Sequence, residues 1–208
     1  MSIAITTDII GSRGLADRAA AQRALESTIA ASHADLPIAT RPFTATVGDE
    51  LQAVYPDLGG ALAAILLLRL ALPDGIDCRF GVGIGAIDDV PSAGGALSEG
   101  PGWWAAREAI DALHAAQVRR MPGVRTWVAS ADPDDDARVR LANAYAWARD
   151  ELVTAMSDRT RRLVRGRCLG RTQRELASDE NITQSAVSQA LATAGGSAIV
   201  EGYRALIA

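Results

Sequence analysis

Apolar and polar positions along the chain follow two periods, and the places where one gives way to the other divide it into elements. Ile3-Ala4-Ile5-Thr6-Thr7 is a β-branched run ending at Asp8, the pattern of a short strand. Leu15 to Ala31 has apolar residues at helical spacing in an Ala-rich background and predicts an amphipathic helix. Pro42 to Val47 and Leu51 to Tyr55 read as strands, joined by a tight turn at Gly48-Asp49-Glu50. A second apolar helix, Leu58 to Leu72, stops at Pro73-Asp74-Gly75. Cys78 to Ile87 alternates apolar residues with Gly, Trp103 to Arg119 is helical, and Arg125 to Ala129 is another strand. The order βαββαβ, with further elements after it, predicts an α+β fold: a ferredoxin-like, palm-type sheet with helices on one face. After the helix start at Asp132-Pro133-Asp134-Asp135-Asp136 the spacing stays helical to Ala208. The expected division is therefore a sheet domain over 1–131 and a small all-α domain over 132–208.

Composition narrows the chemistry. The chain has 208 residues, 49% of them hydrophobic and only 4% aromatic, so its core must be built from Ala, Val, Ile and Leu. All 21 basic residues are Arg. Without Lys there is no P-loop lysine, no Schiff base and no lysine general base. Two His and two Cys, His33, His114, Cys78 and Cys168, are too few for a zinc site of three or four such ligands, which leaves carboxylates and other oxygen ligands for any metal. Both cysteines read as small buried residues. No apolar run is long enough to span a membrane and Met1 to Thr7 lacks the pattern of an export signal, so a cytoplasmic protein is expected.

Charge is uneven. Residues 151–208 carry 8 Arg against 6 acids on a chain of net charge −4, and Arg159 to Arg174 holds seven Arg and no acid. Such a stripe on an acidic protein suggests a specific anionic partner. Next to it, Gln173 to Leu191 has helix-turn-helix spacing. Ala177 supplies the small residue where two helices cross, Asn181 tolerates the positive φ of the turn, and Thr183 is placed to cap the second helix. Leu176, Ile182, Val187 and Leu191 form the shared core. Gln184, Ser185, Ser188 and Gln189 then face outward, able to reach base edges in a major groove, with Arg171, Thr172, Gln173 and Thr183 beside them on the DNA side. The Arg run would hold phosphates. A helical bundle with a solvated polar face gives the same pattern.

At the other end, Asp8-Ile9-Ile10-Gly11-Ser12-Arg13 places an acid at a strand end before a loop entering a helix. Gly11, Ser12 and Arg13 are candidates for holding a phosphate. In a palm-type sheet the turn at Asp49 lies beside that strand end, so Asp8 and Asp49 are candidates to share one or two Mg²⁺ ions on a nucleoside triphosphate. Both acids would also serve as ordinary turn residues. Asp88-Asp89 reads as a solvated loop, and Trp103-Trp104 after Gly100-Pro101-Gly102 as packing at a helix entrance, with one ring able to stack on a base.

These residues, with Val47-Gly48-Asp49-Glu50-Leu51, Arg79-Phe80-Gly81-Val82-Gly83-Ile84-Gly85 and Gly100-Pro101-Gly102-Trp103-Trp104-Ala105-Ala106-Arg107, resemble the class III nucleotidyl cyclase and diguanylate cyclase superfamily. With the helix-turn-helix attached, nearly the whole chain resembles the SatD family. The cyclase resemblance implies metal ligands at Asp8, Asp49 and the Ile9 carbonyl, bound to Mg²⁺ or Mn²⁺, and a purine nucleotide as ligand. It also implies Glu50 as the second hairpin acid and Arg107 as a transition-state arginine, the two catalytic candidates; a solvent-facing Glu50 and an ion-paired Arg107 are the alternatives.

The chain departs from the cyclase pattern in telling places. Trp103 stands where an asparagine would orient the ribose, Val47 replaces the first hairpin glycine, and the purine-reading lysine is missing from a chain without Lys. The expectation is therefore a homodimeric DNA-binding transcriptional regulator whose cyclase-like domain binds a nucleoside triphosphate or cyclic nucleotide with metal, or serves for dimerisation. The alternative is an active nucleotidyl cyclase or nucleotidyltransferase using two metal ions.

Overall fold

The computed structural model describes residues 2–14, 17–46, 50–92 and 95–208, with Arg13, residues 89–92 and residues 95–97 described by backbone alone. In chain order the elements are β1 (Ser2–Ile9), α1 (Arg18–Asp35), β2 (Arg41–Ala45), β3 (Leu51–Tyr55), α2 (Leu58–Ala71), β4 (Cys78–Gly85), β5 (Asp88–Ser92), β6 (Gly95–Glu99), α3 (Pro101–Arg119), β7 (Thr126–Ser130), α4 (Asp136–Thr154), α5 (Asp158–Cys168), α6 (Gln173–Asp179), α7 (Gln184–Thr193) and α8 (Gly196–Ile207). The protein is a mixed α+β structure.

β1 lies in the middle of a five-stranded sheet of order β2-β3-β1-β4-β7. It pairs antiparallel with β3 and with β4, β2 pairs antiparallel with β3, and only the β4–β7 pair is parallel. A strand flanked on both edges and covered on both faces needs apolar residues at successive positions, as Ile3-Ala4-Ile5 supplies. On one face Ile3, Ile5, Phe80 and Val82 pack with Leu25 and Ile29 of α1 and Leu62 and Ile65 of α2. The other face is not open: α3 crosses it, which corrects the expectation of helices on one face. The alternating glycines of β4 make this possible. A Cβ at Gly83 would lie 2.0 Å from the Gly102 carbonyl oxygen, and one at Gly81 2.3 Å from that of Ala106, so the helix backbone rests directly on the strand.

β5 and β6 form a separate two-stranded ladder in which Asp88 pairs with Glu99. Asp88 and Asp89 therefore belong to a strand, not a loop. Trp104 is likewise not packed at the helix entrance: it is 69% exposed, while its neighbour Trp103 donates its ring N–H to the Ser98 hydroxyl at 2.9 Å. Cys78 and Cys168 are free and buried. No helix among the described residues is long and apolar enough to cross a membrane.

α2 is buried almost all round. Leu62, Ile65 and Leu68 belong to the sheet core, while Ala63, Leu66, Leu67 and Leu70 belong to a second core with Leu163, Val164, Leu176, Val187, Leu191, Ile199 and Tyr203. A helix with no polar face must be covered on all sides, and here the C-terminal helices cover it. α4 reaches back to the sheet: the Asn143 side-chain amide donates to and accepts from the Val128 backbone, both at 2.8 Å, closing the β7 edge that would otherwise be unpaired.

The one charge in α2, Arg69, is 3% exposed and donates to Asp150 at 2.6 Å and to the Thr154 hydroxyl at 2.9 Å. Arg149 donates to the same Asp150 oxygen and to the Thr126 hydroxyl. The second Asp150 oxygen accepts the Arg125 backbone N–H at 2.7 Å. Burial pushes the Asp150 carboxyl toward the neutral form, but Arg149 and Arg69 outweigh it and hold the group below the usual carboxylate range. This buried cluster joins α2, α4 and the residue before β7.

Candidate functional site

Two regions gather the residues singled out by sequence. The first lies at the C-terminal end of β1. Asp8 stands directly opposite Arg79 on β4, whose Nε donates to the Asp8 carboxylate at 2.9 Å. His114 Nε2 on α3 lies 3.5 Å from the other carboxylate oxygen, and Arg79 also reaches the Gln117 side chain at 3.2 Å. At the matching end of β3, Glu50 accepts from Arg107 at 2.5 Å and from Gln52 at 3.2 Å. Asp8 and Glu50 thus share one end of the sheet, and each is met by a cation on a neighbouring element.

The fit to a metal follows from this geometry. Asp8, the one expected ligand carboxylate within the described residues, is already met by Arg79, and the catalytic candidate Glu50 by Arg107; among the described residues no group of three or more His, Cys, Asp or Glu is placed to hold an ion. Asp49 lies outside the described residues. Ile9 ends β1 opposite Cys78 with its side chain in the core. Gly11 adopts φ +69°, and Ser12–Gly14 forms a single 3-10 turn. α1 is described from Arg18, the expected start at Leu15 lying outside the described residues, and the Asp17 carboxylate accepts the Ala20 N–H at 2.8 Å. The Asp17 carboxylate thus occupies one N–H of that helix start, and Gly11 and Ser12 lie in the segment between β1 and α1.

The second region is α6 and α7. Thr172 and Glu175 form a reciprocal capping box at the start of α6, and the Thr172 backbone and hydroxyl together hold Glu175 below the usual carboxylate range. Asn181 adopts φ +52° in the turn, the left-handed conformation that closes a short helix connection. The Thr183 hydroxyl caps α7 by accepting the Ala186 N–H at 3.1 Å. Leu176, Ala177, Val187 and Leu191 are buried and Ile182 packs against them. Gln184, Ser185, Ser188 and Gln189 are all exposed on α7, as is Thr172, while Gln173 and Arg171 are half-buried.

The Arg stripe is placed differently from a row of free phosphate ligands. Arg162 forks onto Glu180 at 2.6 and 2.7 Å, and Arg159 reaches the same carboxylate. Arg161 meets Asp74 and Asp158, Arg165 meets Asp35, and Arg171 meets Asp179 at 2.5 Å. Arg167 donates to the Arg171 carbonyl. These contacts fasten α5 to α6 and to the sheet half. Arg174, exposed near the start of α6, has no hydrogen-bond or ion-pair partner among the described residues.

A family model described as the SatD family matches residues 2–200. The chain belongs to the SatD family. The match runs from β1 to α8, so the sheet and the C-terminal helices are both part of what defines a SatD protein here. No curated protein matches the chain.

Sequence reasoning missed the buried groups. Arg69 was the available signal, a single charge inside an otherwise apolar helix that can be buried only with a partner. Arg79 and His114, which occupy Asp8, carry no local signal because strand register and helix placement bring them together.

Proposed function

We propose that this SatD protein is a sequence-specific DNA-binding regulator that reads DNA through α6 and α7. The observation that carries the reading is α7 itself. It is capped at its start, held by a left-handed turn, and presents an exposed face of Gln, Ser and Thr with no acidic group to repel phosphate. The residues before α7 add an exposed Arg174 at the distance of one helix.

The N-terminal half is read as a ferredoxin-like palm of the nucleotidyl cyclase kind, serving to pair two copies into a homodimer or to sense a nucleotide in the cytoplasm. Support comes from the strand order, in which β1 sits between β3 and β4 in an antiparallel array with α1 and α2 on one face. The ion pairs at Asp8 and Glu50 favour pairing or sensing over chemistry. Fluorescence anisotropy with labelled fragments of the source genome and with random duplexes tests the main reading. Equal affinity for the two sets at every salt concentration would sink it.

A second reading, nucleotidyl transfer with two metal ions, draws on the shared position of Asp8 and Glu50 at one sheet end. Incubation with ATP or GTP plus Mg²⁺ or Mn²⁺, followed by chromatography, distinguishes it. A cyclic or linked product that disappears in Asp49→Asn would establish it.

A further inference from the structure

Resting on the DNA-binding reading, we propose that α7 selects A·T base pairs, so that the preferred half-site is anchored by adenines in the major groove and lacks a required guanine. The side-chain inventory of α7 is the basis. Its ten residues are Gln184-Ser185-Ala186-Val187-Ser188-Gln189-Ala190-Leu191-Ala192-Thr193, with Val187 and Leu191 buried. The exposed positions, Gln184, Ser185, Ser188, Gln189, Ala192 and Thr193, form one continuous arc at helical spacing.

Each base presents a different edge to that arc. Guanine offers two acceptors, N7 and O6, and is read chiefly by a bidentate Arg or Lys. α7 has neither, and the chain has no Lys at all. Cytosine is read by a carboxylate, and α7 has no Asp or Glu. Adenine offers N7 as acceptor and the N6 amino group as donor, which a glutamine amide matches with both of its ends. Gln184 and Gln189 are the two amides on the exposed arc. The methyl groups of Ala192 and Thr193 fit the thymine methyl.

The nearest arginines do not supply a guanine contact from α7. Arg171 is held by Asp179 across α6, and Arg162 by Glu180. Arg174 sits near the start of α6, the helix that crosses the backbone in this motif, where its contact is with phosphate. Thr183 and Ser185 share a hydroxyl–hydroxyl contact of 2.9 Å at the α7 start; the hydroxyls of Ser188 and Thr193 can meet any base, so the two glutamines are the side chains of the arc whose planar amides pair with adenine at two points.

The test is selection of bound sequences from a pool of randomised duplexes by the full-length protein at a fixed salt concentration, followed by sequencing. The expected motif has adenines at its most constrained positions. Replacing Gln184 or Gln189 by Ala, each an exposed residue, should relax one of those positions by roughly five- to hundred-fold in preference, with unchanged helical content by circular dichroism. A motif anchored by guanine, or one that neither substitution changes, would overturn the A·T proposal while leaving DNA binding intact. Failure to bind any duplex would overturn both.

Discussion

Arg69 on α2 and Asp150 on α4 are 81 residues apart in sequence and meet at 2.6 Å with almost no exposure to solvent. Arg149 shares the carboxylate, so two guanidinium groups depend on one buried acid. Removing that acid leaves both cations desolvated without a counter-charge. Asp150→Asn or Asp150→Ala is expected to destabilise the protein by about 3–5 kcal/mol, as breaking a buried ion pair does from one side. Urea unfolding followed by circular dichroism reads this directly; a change below about 1 kcal/mol would show that the cluster is not what joins α2 to α4.

The same carboxylate sets an acid limit. Its folded-state pKa lies below the ordinary value because Arg149 and Arg69 outweigh the effect of burial. A depressed carboxylate stabilises fully above its unfolded pKa of about 3.9 and loses that contribution as pH falls through the lower folded value. The urea midpoint of the wild-type chain should therefore drop more steeply below about pH 4 than that of Asp150→Asn. Parallel curves for the two proteins across that window would contradict the assignment.

The close approach of α3 to β4 is expected to be intolerant of any side chain. A methyl group at Gly83 would meet the Gly102 carbonyl oxygen at 2.0 Å and the Ala106 nitrogen at 2.4 Å, both backbone atoms that cannot swing away. Gly83→Ala should cost about 1–3 kcal/mol or more through displacement of the helix. Gly14→Ala, where nothing lies within 4 Å, serves as the control. Thermal unfolding of the pair measures the difference.

How far these features were legible depends on whether their causes are local. The α6–α7 unit could be read from sequence because a capping threonine, a left-handed asparagine and a small crossing residue each act within a few positions of themselves. The all-apolar α2 announced its burial, yet the pattern does not say that the covering layer comes from helices a hundred residues later. The alternating glycines of β4 were visible as a pattern, but the helix that they admit was not. The partner of Asp8 was hidden for the same reason: Arg79 is 71 positions away and reaches Asp8 only through the β1–β4 register. Likewise, the Arg stripe looked like free positive charge because Asp35, Asp74, Asp179 and Glu180 join it only in three dimensions.

Asn181 gives a prediction confined to the motif. Its φ of +52° is a conformation that Gly adopts freely and that most other residues resist. Asn181→Gly should leave stability within a few tenths of a kcal/mol, whereas Asn181→Val, β-branched, should lose roughly 1–2 kcal/mol. Anisotropy at temperatures where both variants are folded then reports whether the angle between α6 and α7 matters to binding. Identical stability of the two variants would argue against the left-handed turn.

The arginines near α6 divide into those already paired and one that is not, and DNA binding should divide with them. Arg174 is exposed without a partner among the described residues, so its charge is available to a phosphate. Arg165 is held against Asp35 and serves the packing of α5 on α1. Arg174→Ala is expected to weaken binding to every sequence alike and to lower the slope of log affinity against log salt by about 0.9, the release of one phosphate contact's counterion. Arg165→Ala should leave that slope unchanged, whatever it does to stability. If instead Arg165→Ala reduced the slope and Arg174→Ala did not, the DNA would have to displace the acids that now hold the stripe, and the approach of the duplex would be along α5 rather than α6 and α7.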